Sequence, residues 1–573
     1  MMFLRKGSLL LPFCLLLLFS FSAHSKQSSL HDIANDPRWP ALLHLIDDQP
    51  QISGDFLLSA PNFSLQNELQ ATLALLRSTS DQRCRFIARH YFLTTIHRLD
   101  LPPLDCSGFE QFRQAVPMDR LSIIYASENL LQPASIMGHT MLAMESYDQR
   151  TQHAFSFFTE LNLYNPFNLI WDNLIQGQPG FITVQPLQQA LKPYKDEQRN
   201  VWVYELDFSH AQKALLQRHL WELKSAQLTY LFNAHNCATL ILDILAIAEP
   251  KLAVDRQRWV SPVDVAKATH KAQLIKTTRL HGSSEWKVRS LSQVTKPYGN
   301  ESVEPISKPL ALMLSNEIND HRYQFGLIDD ARWKTEQSRL NQVADISNLN
   351  LSVDQGKNPL FRRSDSQWGL SVLQTQHSQK VVLDWMPASH HLIDDNRSYA
   401  SENALEILNL SMSFERDNLT LHEAKVYHIT SYLKHNPYIG GWSGEFGIGL
   451  RKDPQFDGHM TAYLEGGIGK TYGLHKDIDV FMFWNIGGQI NNDKGNLNHG
   501  PKAGIILRLI GPSKLIASHR YLWQSQFSAA EETQIDMAWH LAKNINLTLK
   551  GKRLALAGAT NRDEVSLGIA FAY

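Results

Sequence analysis

This chain of 573 residues has almost no net charge: 55 basic side chains against 56 acidic ones leave a formal charge of -1, which excludes a general binder of phosphate backbones. Long apolar runs are missing after the extreme N-terminus. Each later run is broken by charge, Gly or Pro well short of the roughly 20 residues a membrane helix needs, so a polytopic helical membrane protein is excluded. Cysteine is scarce, with four in all, so a disulfide-dense scaffold is excluded as well. With 43% hydrophobic and 19% charged residues, the chain is not disordered throughout. Its length predicts several domains.

What is present begins with an export signal. Arg5 and Lys6 form a basic start, Leu9 to Phe21 an apolar core, and Ala23-His24-Ser25 the small residues of a cleavage site. A signal over 1–25 would leave Cys84, Cys106 and Cys237. Cys84 and Cys106 lie in one region around the turn Pro102-Pro103-Leu104-Asp105, and a disulfide between them is expected in an oxidising compartment. Cys237 is then left free.

Residues 26–116 read as a helical accessory domain, with Leu65 to Leu76 carrying an amphipathic face. From Leu121 the pattern turns to strands: Leu121–Ala126, His139–Met144, His153–Leu161 and Val201–Phe208. Helices follow at His210–Gln227 and from Cys237 to Ala248. Residues 117–300 thus form an α+β domain with its connector, in which Ser261-Pro262-Val263-Asp264 reads as a turn. Beyond residue 320 the period becomes two. Val480, Met482, Trp484 and Ile486 alternate with Asp479, Phe481, Phe483 and Asn485, and Val565, Leu567, Ile569, Phe571 and Tyr573 alternate with small or polar residues. Ten to twelve such segments in series, after an export signal and with an aromatic final residue, predict an outer-membrane antiparallel β-barrel over 320–573.

Chemistry concentrates at Cys237. Asn236 is a candidate cap that would place Cys237 in the first turn of a helix, where the helix dipole and a nearby imidazole favour a thiolate. That predicts a thiol pKa below the free value of about 8.5. Gly138-His139-Thr140 supplies a base at the start of a strand. A third residue should orient the imidazole, and hairpin pairing across Tyr147 to Arg150 would bring the strand from His153 to Thr159, which carries Ser156, beside His139, with His153 as the runner-up.

The ordered set Gln132-Pro133-Ala134-Ser135-Ile136-Met137-Gly138-His139-Thr140, Gln178-Pro179-Gly180, Arg199-Asn200-Val201-Trp202-Val203-Tyr204-Glu205-Leu206, His219-Leu220-Trp221-Glu222-Leu223 and Tyr230-Leu231-Phe232 through Asn236-Cys237-Ala238 resembles the Lnb N-terminal periplasmic domain family. That family is similar to permuted papain-like enzymes of the lecithin retinol acyltransferase type. The resemblance spans roughly residues 118 to 280 and implies Cys237 as nucleophile, His139 as base and a polar residue at the position of Ser156. Gln132 and Asn200 stand where Asn and Asp are expected. The family namesake moves an acyl chain within a lipoprotein and is anchored by membrane helices that this sequence lacks.

The whole then reads as a multidomain α+β protein of the Gram-negative envelope, with a helical N-terminal domain, a papain-like domain and a C-terminal barrel. Its expected activity is acyl transfer or hydrolysis on membrane lipid or lipoprotein. The alternatives are a cell-wall peptidase or amidase, and a non-enzymatic barrel carrying a periplasmic binding domain. No metal, organic cofactor or nucleic acid is implied.

Overall fold

The computed structural model describes residues 29–573 apart from 47–48, 61, 130–136, 161–175, 255–258, 299–307, 344–356, 400, 416–417, 493, 510 and 558–559. The expected export signal and the motif residues Gln132 to Ile136 lie outside the described residues.

Eight strands form one antiparallel sheet: β1 (Ile52–Ser53), β2 (Arg120–Ala126), β3 (His139–Glu145), β4 (Gln152–Phe158), β5 (Gln178–Pro186), β6 (Val201–Leu206), β7 (Gln227–Tyr230) and β8 (Ile275–His281). Their spatial order is β8-β6-β2-β3-β4-β5-β7-β1. Helices cover both faces, which is why β2 reads as a nearly continuous apolar run. Leu121, Ile123 and Tyr125 enter the large core under α5 (Cys237–Ala248), while Ile124 and Ala126 meet Leu187, Ala190 and Leu191 of α3 (Leu187–Asp196). Every residue of α5 except Asp243 is buried, as expected of a helix apolar on all sides.

The N-terminal helices share that core rather than forming one of their own. Trp39, Leu69 and Leu73 of this region and Leu216 and Leu220 of α4 (His210–Leu223) belong to the same cluster, α1 (Leu65–Arg77) contributing the two leucines. Glu222 on α4 accepts the backbone NH groups of Ala88 and Arg89 at 2.7 and 3.0 Å. The Cys84–Cys106 disulfide lies beside α2 (Ser107–Ala115). Ser261-Pro262-Val263-Asp264 does not form the expected turn. It opens α6 (Pro262–Lys271), with Ser261 and Asp264 making a capping box.

Strands of the C-terminal half begin at Gln367 and not at 320. Before them lie α7 (Ser284–Leu291), α8 (Lys308–Gln324) and α9 (Asp330–Val343). Within the stretch read as period two, α9 is helical, with Leu340 buried and the Trp333 indole donating to Asp320 of α8 at 2.7 Å, and this packing overrides the period-two reading there.

The barrel consists of twelve strands: β9 (Gln367–Thr375), β10 (Gln379–Met386), β11 (Glu402–Glu415), β12 (Asn418–Tyr432), β13 (Ser443–Lys452), β14 (Met460–His475), β15 (Ile478–Ile490), β16 (Gly495–Leu509), β17 (Ser513–Gln524), β18 (Ala530–Ala542), β19 (Ile545–Leu556) and β20 (Arg562–Ala572). Pairing of β9 with β20, Gln367 opposite Ala572, and of β10 with β11 closes the ring. Closure leaves no unpaired edge, which a lipid environment demands. Alternate residues face out and are apolar: Met482 is 63% exposed, Trp484 52% and Ile486 68%. The inward positions pair charges: Glu402 with Lys514 at 2.7 Å, Glu445 with Lys502 at 2.8 Å, and Glu532 with Arg520 at 3.0 Å. An apolar belt outside a polar interior is the geometry of a transmembrane barrel.

At the end nearest the sheet domain the lumen is filled. Leu392 and Ile393, between β10 and β11, pack on the inward rings of Tyr432, Phe481 and Phe483. Arg363 pairs with Asp394 there, and Asn546 donates to Asp394 at 2.7 Å. The sheet domain is anchored to this end by Tyr204 donating to Asn358 at 3.0 Å, Ser261 to Asp365 at 2.8 Å, and Arg362 pairing with Glu128 at 3.0 Å. Burial would raise the Glu128 carboxyl, but the Arg362 guanidinium outweighs it and holds that group down to about 2.

Candidate functional site

Cys237 is the first residue of α5 and is 4% exposed. Asn236 caps the helix: its Oδ1 accepts from the NH groups of Ala238 at 2.8 Å and Thr239 at 3.0 Å. Its Nδ2 donates to the carbonyls of Phe232 at 2.9 Å and Val260 at 3.0 Å. One side chain therefore fixes the helix start and the two loops beside it.

Pairing between β3 and β4 runs as far as Leu142 opposite Phe155, so β3 is unpaired on that side at Thr140. The backbone NH groups of Thr140, Ala238 and Cys237 itself favour the negative form of the sulfur, as does the charge of Arg199. Burial is stronger and pushes the Cys237 thiol up to about 11. The lowered thiol pKa expected from helix position and imidazole alone is thus corrected, because burial was not readable in the sequence. Tyr230 closes β7, and its burial, with the charge of Cys237 adding to it, raises the phenol well above its ordinary value.

His139 opens β3, one residue from Thr140. Its ring lies parallel to that of Tyr194 on α3, centroids 5.9 Å apart. Burial, with the Arg199 charge adding to it, pushes the imidazole down to about 3. The imidazole is therefore neutral at pH 7. Arg199 is itself buried and fixed, donating to the carbonyls of Ser127 at 2.5 Å and Ala126 at 2.8 Å, with its guanidinium 4.6 Å from the centre of the Tyr194 ring. Its charge acts on both Cys237 and His139; His139 lies on the sheet face under α3 with Met141 and Tyr194, whereas α5, which Cys237 opens, covers the other face.

Ser156 is buried on β4, and continuing the register puts it opposite Met141, on the sheet face that His139 shares. His153 lies on the other face with Phe155 and Phe157, turned away from His139. The ring that faces His139 is that of Tyr194, which the sequence reading passed over. Arg199 and Tyr230 stood within the quoted motif without a role. The available signal was their place at strand ends, Arg199 just before β6 and Tyr230 closing β7. No group of three or more His, Cys, Asp or Glu side chains with metal-ligand geometry occurs among the described residues.

Comparison with known proteins agrees with this division of the chain. Residues 108–272 match the family described as the Lnb N-terminal periplasmic domain, and residues 358–571 match a domain of unknown function, DUF7840. No curated protein matches. Among solved structures the chain is similar to the KdgM porin (TM-score 0.24, 11% identity, 36% of this chain and 99% of that one) and the NanC porin (TM-score 0.26, 7% identity, 36% and 100%). It is also similar to OmpT of Vibrio cholerae (TM-score 0.21, 7% identity, 36% and 98%). The membrane assignment rests on the barrel's own closure and apolar belt. With the family of residues 108–272, these make the chain an outer-membrane protein with a periplasmic domain.

Proposed function

We propose that the periplasmic domain is a thiol acyltransferase or hydrolase acting on acyl groups of membrane lipid or lipoprotein. The observation that carries this reading is Cys237 at the first position of a helix capped by Asn236. The helix dipole and the backbone NH groups of Thr140 and Ala238 favour negative charge on that sulfur.

Both members of the pair are neutral at pH 7, so the thiol proton passes to His139 as the sulfur–carbon bond forms on the acyl carbonyl. Collapse of the tetrahedral adduct breaks the ester carbon–oxygen bond, and the imidazolium returns its proton to the departing alkoxide. The thioester on Cys237 is then resolved by water or by an acceptor amine or hydroxyl. Ser156 is the proposed third residue, on the face of the sheet it shares with His139. A barrel tether raises the local concentration of membrane esters without special affinity.

The test supplies the full-length protein in proteoliposomes with acyl-labelled phospholipid or lipoprotein, and separately with labelled cell-wall peptides. Acyl label on Cys237 from the lipid donor, absent in Cys237→Ser, is the expected result. Label from peptide alone would favour the amidase. The competing reading, an inert thiol in a binding domain, draws on the burial of Cys237, and a thiol taking no label from any donor and resisting alkylation in the folded protein even from pH 9 to 11 would establish it.

A further inference from the structure

The loops that bracket the nucleophile also touch the barrel. Phe232 and Val260 are the two residues whose carbonyls Asn236 holds, Trp259 precedes Val260, and Met137 stands two residues before His139. The side chains of Met137, Phe232 and Trp259, like that of Tyr427, pack against Leu405, Ile407 and Ile429, with Phe232 and Trp259 edge to face at 5.7 Å.

These barrel residues belong to the outer wall. On the same strand Glu402 and Glu406 turn inward to Lys514 at 2.7 Å and Lys425 at 2.9 Å, and alternation sends Leu405 and Ile407 the other way. Pairing of Leu405 with Ile429 and Ile407 with Tyr427 keeps the four on one face. Trp385, next to Trp368 and donating to the Tyr573 hydroxyl at 3.2 Å, belongs to an aromatic cluster at this end of the barrel, and its register partner is Leu410. Ile407 and Leu405 are therefore three and five residues on the periplasmic side of that register position, at the boundary where an aromatic girdle meets headgroups.

The nucleophile's cap is thus tied to side chains that rest against the barrel at the edge of the leaflet. We propose that an acyl chain leaving the periplasmic leaflet reaches Cys237 along this seam, between Met137, Phe232 and Trp259 on one side and Ile407, Tyr427 and Ile429 on the other. Both walls are apolar, so a chain that separates them replaces one hydrophobic contact with another and is never exposed to water on the way. A polar peptide would lose its hydration there and gain nothing. Cys237 is 4% exposed, so a substrate must move some of its surroundings, and these side chains are the apolar ones that its cap anchors. The inference rests on the acyl-transfer reading.

The test uses full-length protein in liposomes of phosphatidylethanolamine and phosphatidylglycerol carrying a phospholipid with a photoreactive group at mid-chain. Cross-links on peptides containing Phe232, Trp259 or Ile407 are expected, and Cys237→Ser should retain them, because occupancy does not need turnover. In Ile407→Gln and Trp259→Ser, the ratio of turnover on a long-chain bilayer ester to that on a short-chain soluble thioester should fall at least tenfold, whereas Ile486→Gln on the exposed belt should leave it unchanged. Cross-links confined to the exposed belt, or both donors slowed equally, would overturn the seam. A Cys237 that takes acyl from no donor would instead remove the function reading, and the cross-link map would still decide whether acyl chains occupy the seam.

Discussion

Tyr194 lies parallel to His139 at 5.9 Å between ring centres, and the same phenol ring carries the Arg199 guanidinium 4.6 Å from its centre. The stack sets the orientation of the imidazole from a direction the sequence did not show. Tyr194→Phe keeps the aromatic faces and should retain most activity, whereas Tyr194→Ala should lower the acylation rate of Cys237 by about 10- to 100-fold, or about 1.4 to 2.7 kcal/mol of barrier. Single-turnover labelling of the full-length protein measures this. Equal rates in the Ala and Phe variants would show that the stack has no part in positioning the base.

Arg199 adds a fixed positive charge to the same cluster. Removing it in Arg199→Met should slow alkylation of Cys237 below its titration and move its pH profile upward, because the cation that favours the thiolate is gone. Arg199→Lys retains charge but cannot bridge the Ser127 and Ala126 carbonyls as a planar fork, so it should recover the pH profile only in part. A profile identical to wild type in Arg199→Met would mean the charge does not reach the sulfur.

The pH behaviour follows from burial. With the Cys237 thiol raised to about 11, alkylation should be slow at pH 7 and climb through pH 9 to 11 without an earlier plateau. Stability should fall over the same range, since the unfolded chain releases its thiol proton near pH 9 while the folded one holds it. On the acid side His139 is pushed down, and His219, buried in contact with His44 at 2.8 Å, lies well below its ordinary value through burial, His44 and Arg89. The folded state then binds fewer protons than the unfolded one below about pH 6.5, so stability should decline as pH falls from there toward 3. Denaturant midpoints across pH 4 to 10 test both flanks, and a midpoint constant below pH 6.5 would contradict the acid one.

Much of this was legible in the sequence because periodicity reports burial on one face at a time. The start of α5 at Cys237 is where Asn236 predicts it, and the alternation in β15 and β20 matches their exposed and buried sides. Two things were hidden. Ser261-Pro262-Val263-Asp264 serves equally as a turn or a capping box, and only the packing of Val263, Val265 and Ala266 into the core selects the helix. The environment of Cys237 depends on β3 being unpaired on its β4 side at Thr140 and on the cover over the sulfur, and neither is a property of local sequence.

The Cys84–Cys106 disulfide spans 22 residues and by the chain-entropy estimate contributes about 3 kcal/mol, less any strain. The Cys84 carbonyl accepts from the Trp221 indole at 2.9 Å, which joins the bridge to α4 and so to the shared core. Replacing both cysteines by Ser should lower the denaturant midpoint of the periplasmic region while leaving barrel heat-modifiability unchanged. If both transitions shift together, the two parts unfold as one unit.

The barrel provides the last test, because its two faces predict opposite responses to charge. Ile486 is 68% exposed on the apolar belt, and Ile486→Arg should cost about 2 to 4 kcal/mol at mid-bilayer, less toward either interface. The heat-modifiable band on mild detergent gels should weaken and outer-membrane recovery should fall. Glu465 faces the lumen, with Arg451 and Arg520 each 3.7 Å away. Glu465→Gln leaves the lipid face untouched, so insertion should persist, with the band shifting at a lower temperature because two interior cations have lost a partner. If Ile486→Arg were to insert as well as wild type while Glu465→Gln failed to insert, the faces would be reversed. A full-length protein released with the periplasmic fraction would remove the membrane barrel altogether.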